Sequence, residues 1–400
     1  MSGPTAVERT MIDGIDAGEM LSRTLSWAAV NSGTYNLAGL DRMAELLLDA
    51  FGALPGAVTL HDADLVERIN AKGLAEAVRY GRHLVVRVRP NAERRVLLSG
   101  HMDTVFAADH PFQACDWIDG NRLRGPGTAD MKGGIALMLA GVQAFERSEP
   151  NLGYDILINS DEETGSLSSA RLIDELAHGK IAALTYEPSL PGGRMARARP
   201  GSGNFSAVVT GRSAHAGRNP EEGRNALLAA ADLALRLAGL ARPGLSVNPA
   251  AIDGGGPPNM VPWLAVLRFN MRPAAAKDMA AASMAVDELV DTVAARHDVA
   301  IRLHGGFGRP PKSVGDAEER LFRLVAAAAA DLGEALSWAD TGGVCDGNNI
   351  SASGVPVIDT MGAAGGAIHS PDEYLLVDSL ARRAALTALV LHRLDRGETF

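Results

Sequence analysis

Cysteine is nearly missing: 400 residues contain only Cys115 and Cys345. A disulfide framework is therefore excluded, and a reducing, cytoplasmic compartment is the expected home. Basic runs are missing too. The formal charge of -10 is spread along the chain, which argues against nucleic acid and anionic membrane surfaces as main partners and favours small molecules or peptides. No apolar stretch is long enough to span a bilayer, and the first 20 residues put acidic side chains where a secretory signal would be apolar. What the chain does have is apolar content of 46%, enough for a large core and more than one domain.

The pattern begins with helical spacing over 18–30 and 37–51, followed by a mixed stretch to about 90 that supports no assignment. The segments 95–100, 154–159 and 181–186 read as buried strands alternating with helices over 133–145 and 168–176. This alternation implies an α/β fold with a mostly parallel sheet covered on both faces. The pattern breaks in a Pro, Gly and Arg run at 191–200. Strand 203–210, helix 225–240, strands 245–252 and 264–271, helix 277–296 and strand 299–303 then give the order βαββαβ, that of an inserted ferredoxin-like unit. A loop is expected over 305–312, then a helix at 318–332, a strand at 355–359 and a closing helix at 376–394. The division expected is 1–196 and 310–400 for the larger domain and 197–309 for the insertion.

Five stretches lie where open α/β sheets place their sites, at the ends of strands or in the loops beyond them. They are Gly100-His101-Met102-Asp103-Thr104-Val105, Gly125-Pro126-Gly127-Thr128-Ala129-Asp130-Met131-Lys132-Gly133-Gly134, Ser160-Asp161-Glu162-Glu163-Thr164-Gly165-Ser166, Tyr186-Glu187-Pro188-Ser189 and Ile368-His369-Ser370-Pro371-Asp372-Glu373-Tyr374. Each alone has an ordinary explanation: a helix N-cap for Asp130, a polar loop for His101 and Asp103, a solvated helix start for Glu162 and Glu163, and turns for the others. Together, His101, Asp130, Glu163, Glu187 and His369 supply two imidazoles and three carboxylates. That set suits two zinc ions sharing one carboxylate, with Glu162 left over as a base. Asp103 could orient the His101 ring.

The motifs GHMDTV, GPGTADMKGG, DEETGS, YEPS and HSPDEY, in that order, resemble the M20 family of zinc metallopeptidases, with the glutamate carboxypeptidases the nearest likeness. The resemblance implies a di-zinc hydrolase, two Zn2+ per subunit with Co2+ or Mn2+ as substitutes, acting on a peptide or N-acyl amino acid with a free carboxylate. Asp130 would bridge the ions, His101 and Glu187 would hold one, and Glu163 and His369 the other. Glu162 would be the general base, and a cis peptide would follow Asp130. The insertion would be a lid and dimerisation domain. In it His215, within Gly211-Arg212-Ser213-Ala214-His215-Ala216-Gly217, would stabilise the oxyanion and in several family members reaches across from a partner subunit. Asn259 and Arg272 would bind the substrate carboxylate, and Gly342 and Gly343 would belong to a substrate-side loop. Val344 and Cys345 are bulkier than the family's small residues there, with Cys345 expected as a packed thiol. Arg194 is placed near a substrate-facing position, with Arg197 and Arg199 as competitors. Two alternatives stand beside the carboxypeptidase: an N-acyl amino acid deacylase with the same metals, and an inactive homologue that only binds amino-acid derivatives.

Overall fold

A computed structural model describes residues 3–398. Helices α1 (Ala6–Ile12), α2 (Ala17–Ala28) and α3 (Leu37–Phe51) open the chain. Each starts on a side-chain cap, Thr5, Asp16 or Asn36, whose oxygen accepts a backbone N–H of the first turn. Strands β1 (Ala57–His61), β2 (Val66–Ile69), β3 (Ala75–Val78), β4 (His83–Val88) and β5 (Arg95–His101) follow, then α4 (Gly133–Glu146), β6 (Gly153–Asn159), α5 (Ala170–Ala177) and β7 (Ala182–Thr185). Next come β8 (Ser202–Thr210), α6 (Ala226–Ala238), β9 (Leu245–Gly254), β10 (Leu264–Pro273), α7 (Ala276–His297) and β11 (Ala300–Arg309). The chain closes with α8 (Asp316–Asp331), α9 (Asp346–Ala352), β12 (Val357–Ile358) and α10 (Ser379–Asp395).

The larger sheet has the order β1-β4-β6-β5-β7-β12. Strands β6, β5, β7 and β12 run parallel, whereas β1 and β4 pair antiparallel at one edge. Those two edge strands come from the stretch that was unreadable in sequence. Helix α4 is buried nearly all round between the sheet and α2 and α10, and the opposite face is covered by Leu172, Ile173 and Leu176 of α5 with Ile350 of α9. Apolar burial on both faces explains why the central strands read as continuous hydrophobic runs.

The second sheet, β9-β10-β8-β11, is antiparallel throughout. Ala207, Leu267 and Phe269 pack with α6 and α7 on one face, which gives the expected βαββαβ arrangement. One boundary differs from expectation. Strand β11 runs on to Arg309 through the glycines read as a loop. Gly305 sits at φ +88°, where a Cβ would meet the Asn204 carbonyl oxygen at 2.1 Å, and the register shifts opposite Ser202 and Asn204. Glycine there permits a bulge after which pairing resumes.

Two features join the sheets. The β2–β3 hairpin docks on the helix-free face of the second sheet, where Ile69 packs with Val208 and Val266. The two chain crossings run side by side, because Arg199 and Lys312 exchange backbone hydrogen bonds of 3.1 and 3.0 Å. Among the described residues no helix is long and apolar enough to cross a membrane.

Candidate active site

Strands β6, β5 and β7 are neighbours, so their carboxyl ends bring together residues far apart in sequence. His101 ends β5, Glu162 and Glu163 follow β6, and Glu187 follows β7. Asp130 arrives from the glycine turn before α4. Gly127 takes φ +70° there, and a Cβ on Gly134 would lie 2.3 Å from the Tyr186 carbonyl oxygen. Both positions therefore require glycine. The peptide bond from Asp130 to Met131 is cis, as the resemblance implied.

The two oxygens of Asp130 face different histidines. Oδ1 lies 3.1 Å from His101 Nε2, and Oδ2 lies 3.3 Å from His369 Nε2. Glu187 Oε2 is 3.8 Å from His101 Nε2, and Glu163 Oε2 is 3.3 Å from His369 Nε2. The result is two triads, His101–Asp130–Glu187 and Asp130–Glu163–His369, whose donor atoms lie within 4.8 Å of one another. Asp103 is buried beside His101, whose Nδ1 is 3.0 Å from the Asp103 carbonyl oxygen and 3.4 Å from its carboxylate. That carboxylate also accepts the N–H groups of Glu162 and Glu163 at 3.2 Å, fixing the acidic turn.

The charge state fits a cation. Burial, reinforced by the Asp130 charge, pushes Glu163 up to about 8, and burial raises Glu187. Burial pushes Glu162 up to about 7 against the pull of Arg309. His369, hydrogen-bonded to Asp130 and Glu163, is raised to about 11. Burial raises Asp130 less than its contacts with His101 and His369 lower it, so it stays ionised. Packed carboxylates that cannot all ionise comfortably, interleaved with two imidazoles, form a donor set suited to divalent metal.

Asp130, Glu162, Glu163, Glu187 and His369 line a cleft of about 970 Å³ between the two sheets, together with Arg272, Gly343, Val344 and Cys345. Arg272 donates to the Gly342 carbonyl at 2.9 Å, so the expected carboxylate-binding and loop residues meet. Cys345 is a buried thiol whose pKa is raised by burial, with Sγ 3.3 Å from Asp359. His215 and Asn259 behave differently: both are exposed and neither lines this cleft. They neighbour each other, since the Asn259 carbonyl accepts the Ala216 N–H at 2.9 Å. Arg194 is exposed and lies outside the cleft, whereas its competitor Arg199 lines it and pairs with Asp359 at 2.8 Å.

Two residues were missed. Arg309, at the end of β11, donates to Glu162 Oε1 at 2.7 Å and to Ser166 at 2.8 Å, with Asp346 3.4 Å away. Glu373 accepts the N–H groups of Gly127, Ala129 and Asp130 at 3.0–3.2 Å, fastening the turn that carries Asp130. Glu373 stood inside the HSPDEY motif without an assigned role, and Arg309 stood in the stretch 305–312 read as a loop.

Comparison with known proteins agrees with this geometry. Residues 97–393 match the model of peptidase family M20/M25/M40. The chain is 30% identical over 325 residues to carboxypeptidase G2 of Pseudomonas sp. (strain RS-16), covering 80% of this chain and 78% of that protein. It is 28% identical over 377 residues to succinyl-diaminopimelate desuccinylase of Rhodospirillum centenum, covering 85% and 94%. A tripeptidase structure from Staphylococcus aureus superposes with a TM-score of 0.75 at 23% identity, covering 96% of this chain and 99% of that one. With the motifs gathered where the parallel strands end and the match running from β5 into α10, the chain belongs to peptidase family M20/M25/M40 and is an enzyme of the metallo-carboxypeptidase and amidohydrolase type.

Proposed function

We propose that this enzyme is a di-zinc hydrolase that cleaves the amide bond of a peptide or N-acyl amino acid bearing a free carboxylate. The observation that carries the reading is Asp130, whose two oxygens each face a separate histidine–carboxylate group, with Glu162 beside them. His101, Asp130 and Glu187 would hold one ion and Asp130, Glu163 and His369 the other. When bound, such ions polarise a carbonyl and acidify water.

The chain's own residues supply the rest. Glu162 takes a proton from the water that attacks the amide carbon, and returns it to the nitrogen as the C–N bond breaks. Arg309 engages Oε1 of Glu162, which fixes the carboxylate and leaves its other oxygen for the proton. Arg272 binds the carboxylate of the released amino acid by its planar fork. Residues 197–309 form a lid in this reading, and its junction with the larger domain carries Arg309 to the base.

His215 and Asn259 lie outside their own chain's cleft, which supports a homodimer in which they complete the partner's cleft. The surface is suited to pairing: Leu228 and Leu235 of α6 are 60% and 76% exposed, and Ile252 lies on the edge strand β9. Glu162→Gln tests the base. Turnover should fall by about 10²–10⁴ with metal content unchanged; near-normal turnover would assign the proton transfer elsewhere.

A further inference from the structure

Four arginines line the cleft, and two of them are neutralised: Arg199 by Asp359 and Arg309 by Glu162 and Asp346. Arg272 and Arg68 have no carboxylate within ion-pair distance among the described residues. Arg272 is already assigned the substrate carboxylate. Arg68 has no assigned task. It is half-buried on β2, its guanidinium lies 5.5 Å from the centroid of the Tyr35 ring, and one of its N–H groups donates to the Tyr35 hydroxyl. An aromatic face and a hydroxyl hold a guanidinium in place while leaving its charge unneutralised.

The position of Arg68 follows from the register of β10. Ala265, Leu267, Phe269 and Met271 point into the helix-side core. Val266, Arg268, Asn270 and Arg272 therefore point to the other face, that of the hairpin and the cleft. The hairpin is fixed against this row by Ile69, which packs on Val266 and whose carbonyl accepts from Arg268 at 2.8 Å. Positions 268 and 272 are about 13 Å apart along a strand. Arg68, beside Ile69 on the docked hairpin, and Arg272, on this row, thus line the same cleft from two different elements.

We propose that Arg68 is a specificity-determining residue that binds a second carboxylate, carried at the far end of the acyl half of the substrate. Preferred substrates are then dianionic: one carboxylate on the leaving amino acid at Arg272, the other on the acyl group at Arg68. This deepens the amide-hydrolase reading and rests on it for the identity of the two halves.

The test compares N-succinyl and N-butyryl derivatives of one amino acid, which match in acyl chain length and differ in the terminal charge. For the zinc-loaded wild type, kcat/KM should favour the succinyl compound by about tenfold or more, the scale of a charge-assisted contact. Arg68→Gln should abolish that ratio through KM, and Arg68→Lys should restore part of it. A wild type without the preference, or a ratio unchanged in Arg68→Gln, overturns the proposal. Calorimetric binding of the same two compounds separates this from failure of the amide-hydrolase reading. If neither is cleaved yet the wild type binds the succinyl compound more tightly and Arg68→Gln does not, the role of Arg68 stands and the reaction assignment falls. If the wild type binds both equally, the role of Arg68 falls.

Discussion

Replacing Asp359 by Asn tests the physical account of the junction between the two sheets. Asp359 is fully buried after β12. Its Oδ2 lies 2.8 Å from Arg199 Nε and 3.1 Å from Lys312 Nζ, and its Oδ1 accepts from Thr185 at 2.7 Å. Arg199 and Lys312 sit on the two crossings, so one carboxylate pairs with both. The amide keeps one acceptor and removes the charge, leaving two buried cations uncompensated. Breaking a buried ion pair from one side costs roughly 3–5 kcal/mol. Arg199 also donates to the Gly343 carbonyl and Lys312 to that of Arg197, which places the expected loss near the lower end, about 3 kcal/mol. Burial works against ionisation of Asp359, but the charges of Arg199 and Lys312 outweigh it and hold the carboxyl below its ordinary value. A carboxylate with a depressed folded pKa stabilises the fold fully above its unfolded value, about 4, and loses that contribution as pH falls through the folded value. Urea denaturation of wild type and Asp359→Asn at pH 7 and pH 5 should therefore show the full difference at both, with shrinkage only under strongly acid conditions. A difference below about 1 kcal/mol at pH 7, or one that grows as pH falls, would refute the reasoning.

Two further outcomes follow from the site. Glu373→Gln keeps one acceptor for three N–H groups and turns an NH2 toward the others, so the Asp130 turn loosens. Zinc affinity, measured by competition with a chromophoric chelator, should drop about 10–100-fold with the circular dichroism spectrum preserved, and unchanged affinity would remove Glu373 from the metal site's support. Mixing His215→Ala with Glu162→Gln probes the dimer: if His215 serves the partner's cleft, heterodimers rebuild one intact site and activity returns to about a quarter of wild type after random subunit exchange. No recovery in verified heterodimers would place His215 in its own chain's cleft or outside the reaction.

The central strands and the five motif residues were legible because their signals are local: apolar runs ending in glycine or acid are written in consecutive residues. The insertion's βαββαβ order was legible for the same reason. What escaped was set by contacts across the chain. Glu373 acts on a turn 243–246 residues earlier in sequence, and Arg309 reaches Glu162 across 147 residues. Strands β1 to β3 hid because they are only partly buried, and the hairpin's apolar partners lie on the second sheet. Gly305 and its neighbours read as a loop because a bulge uses the same residue type that a turn does. His215 and Asn259 carried a recognisable motif, yet their own cleft does not include them.

The paired crossings at Arg199 and Lys312 also make the insertion modular. Its start and end are one backbone-bonded pair, so a short turn joining them would close the larger layer without stretching a strand. Such a shortened chain would keep both histidine–carboxylate groups and lose Arg272, Arg309 and the surface on which the β2–β3 hairpin rests. The candidate metal ligands and the arginines at 272 and 309 are thus written on separable lengths of chain, and one could be exchanged while the other is kept.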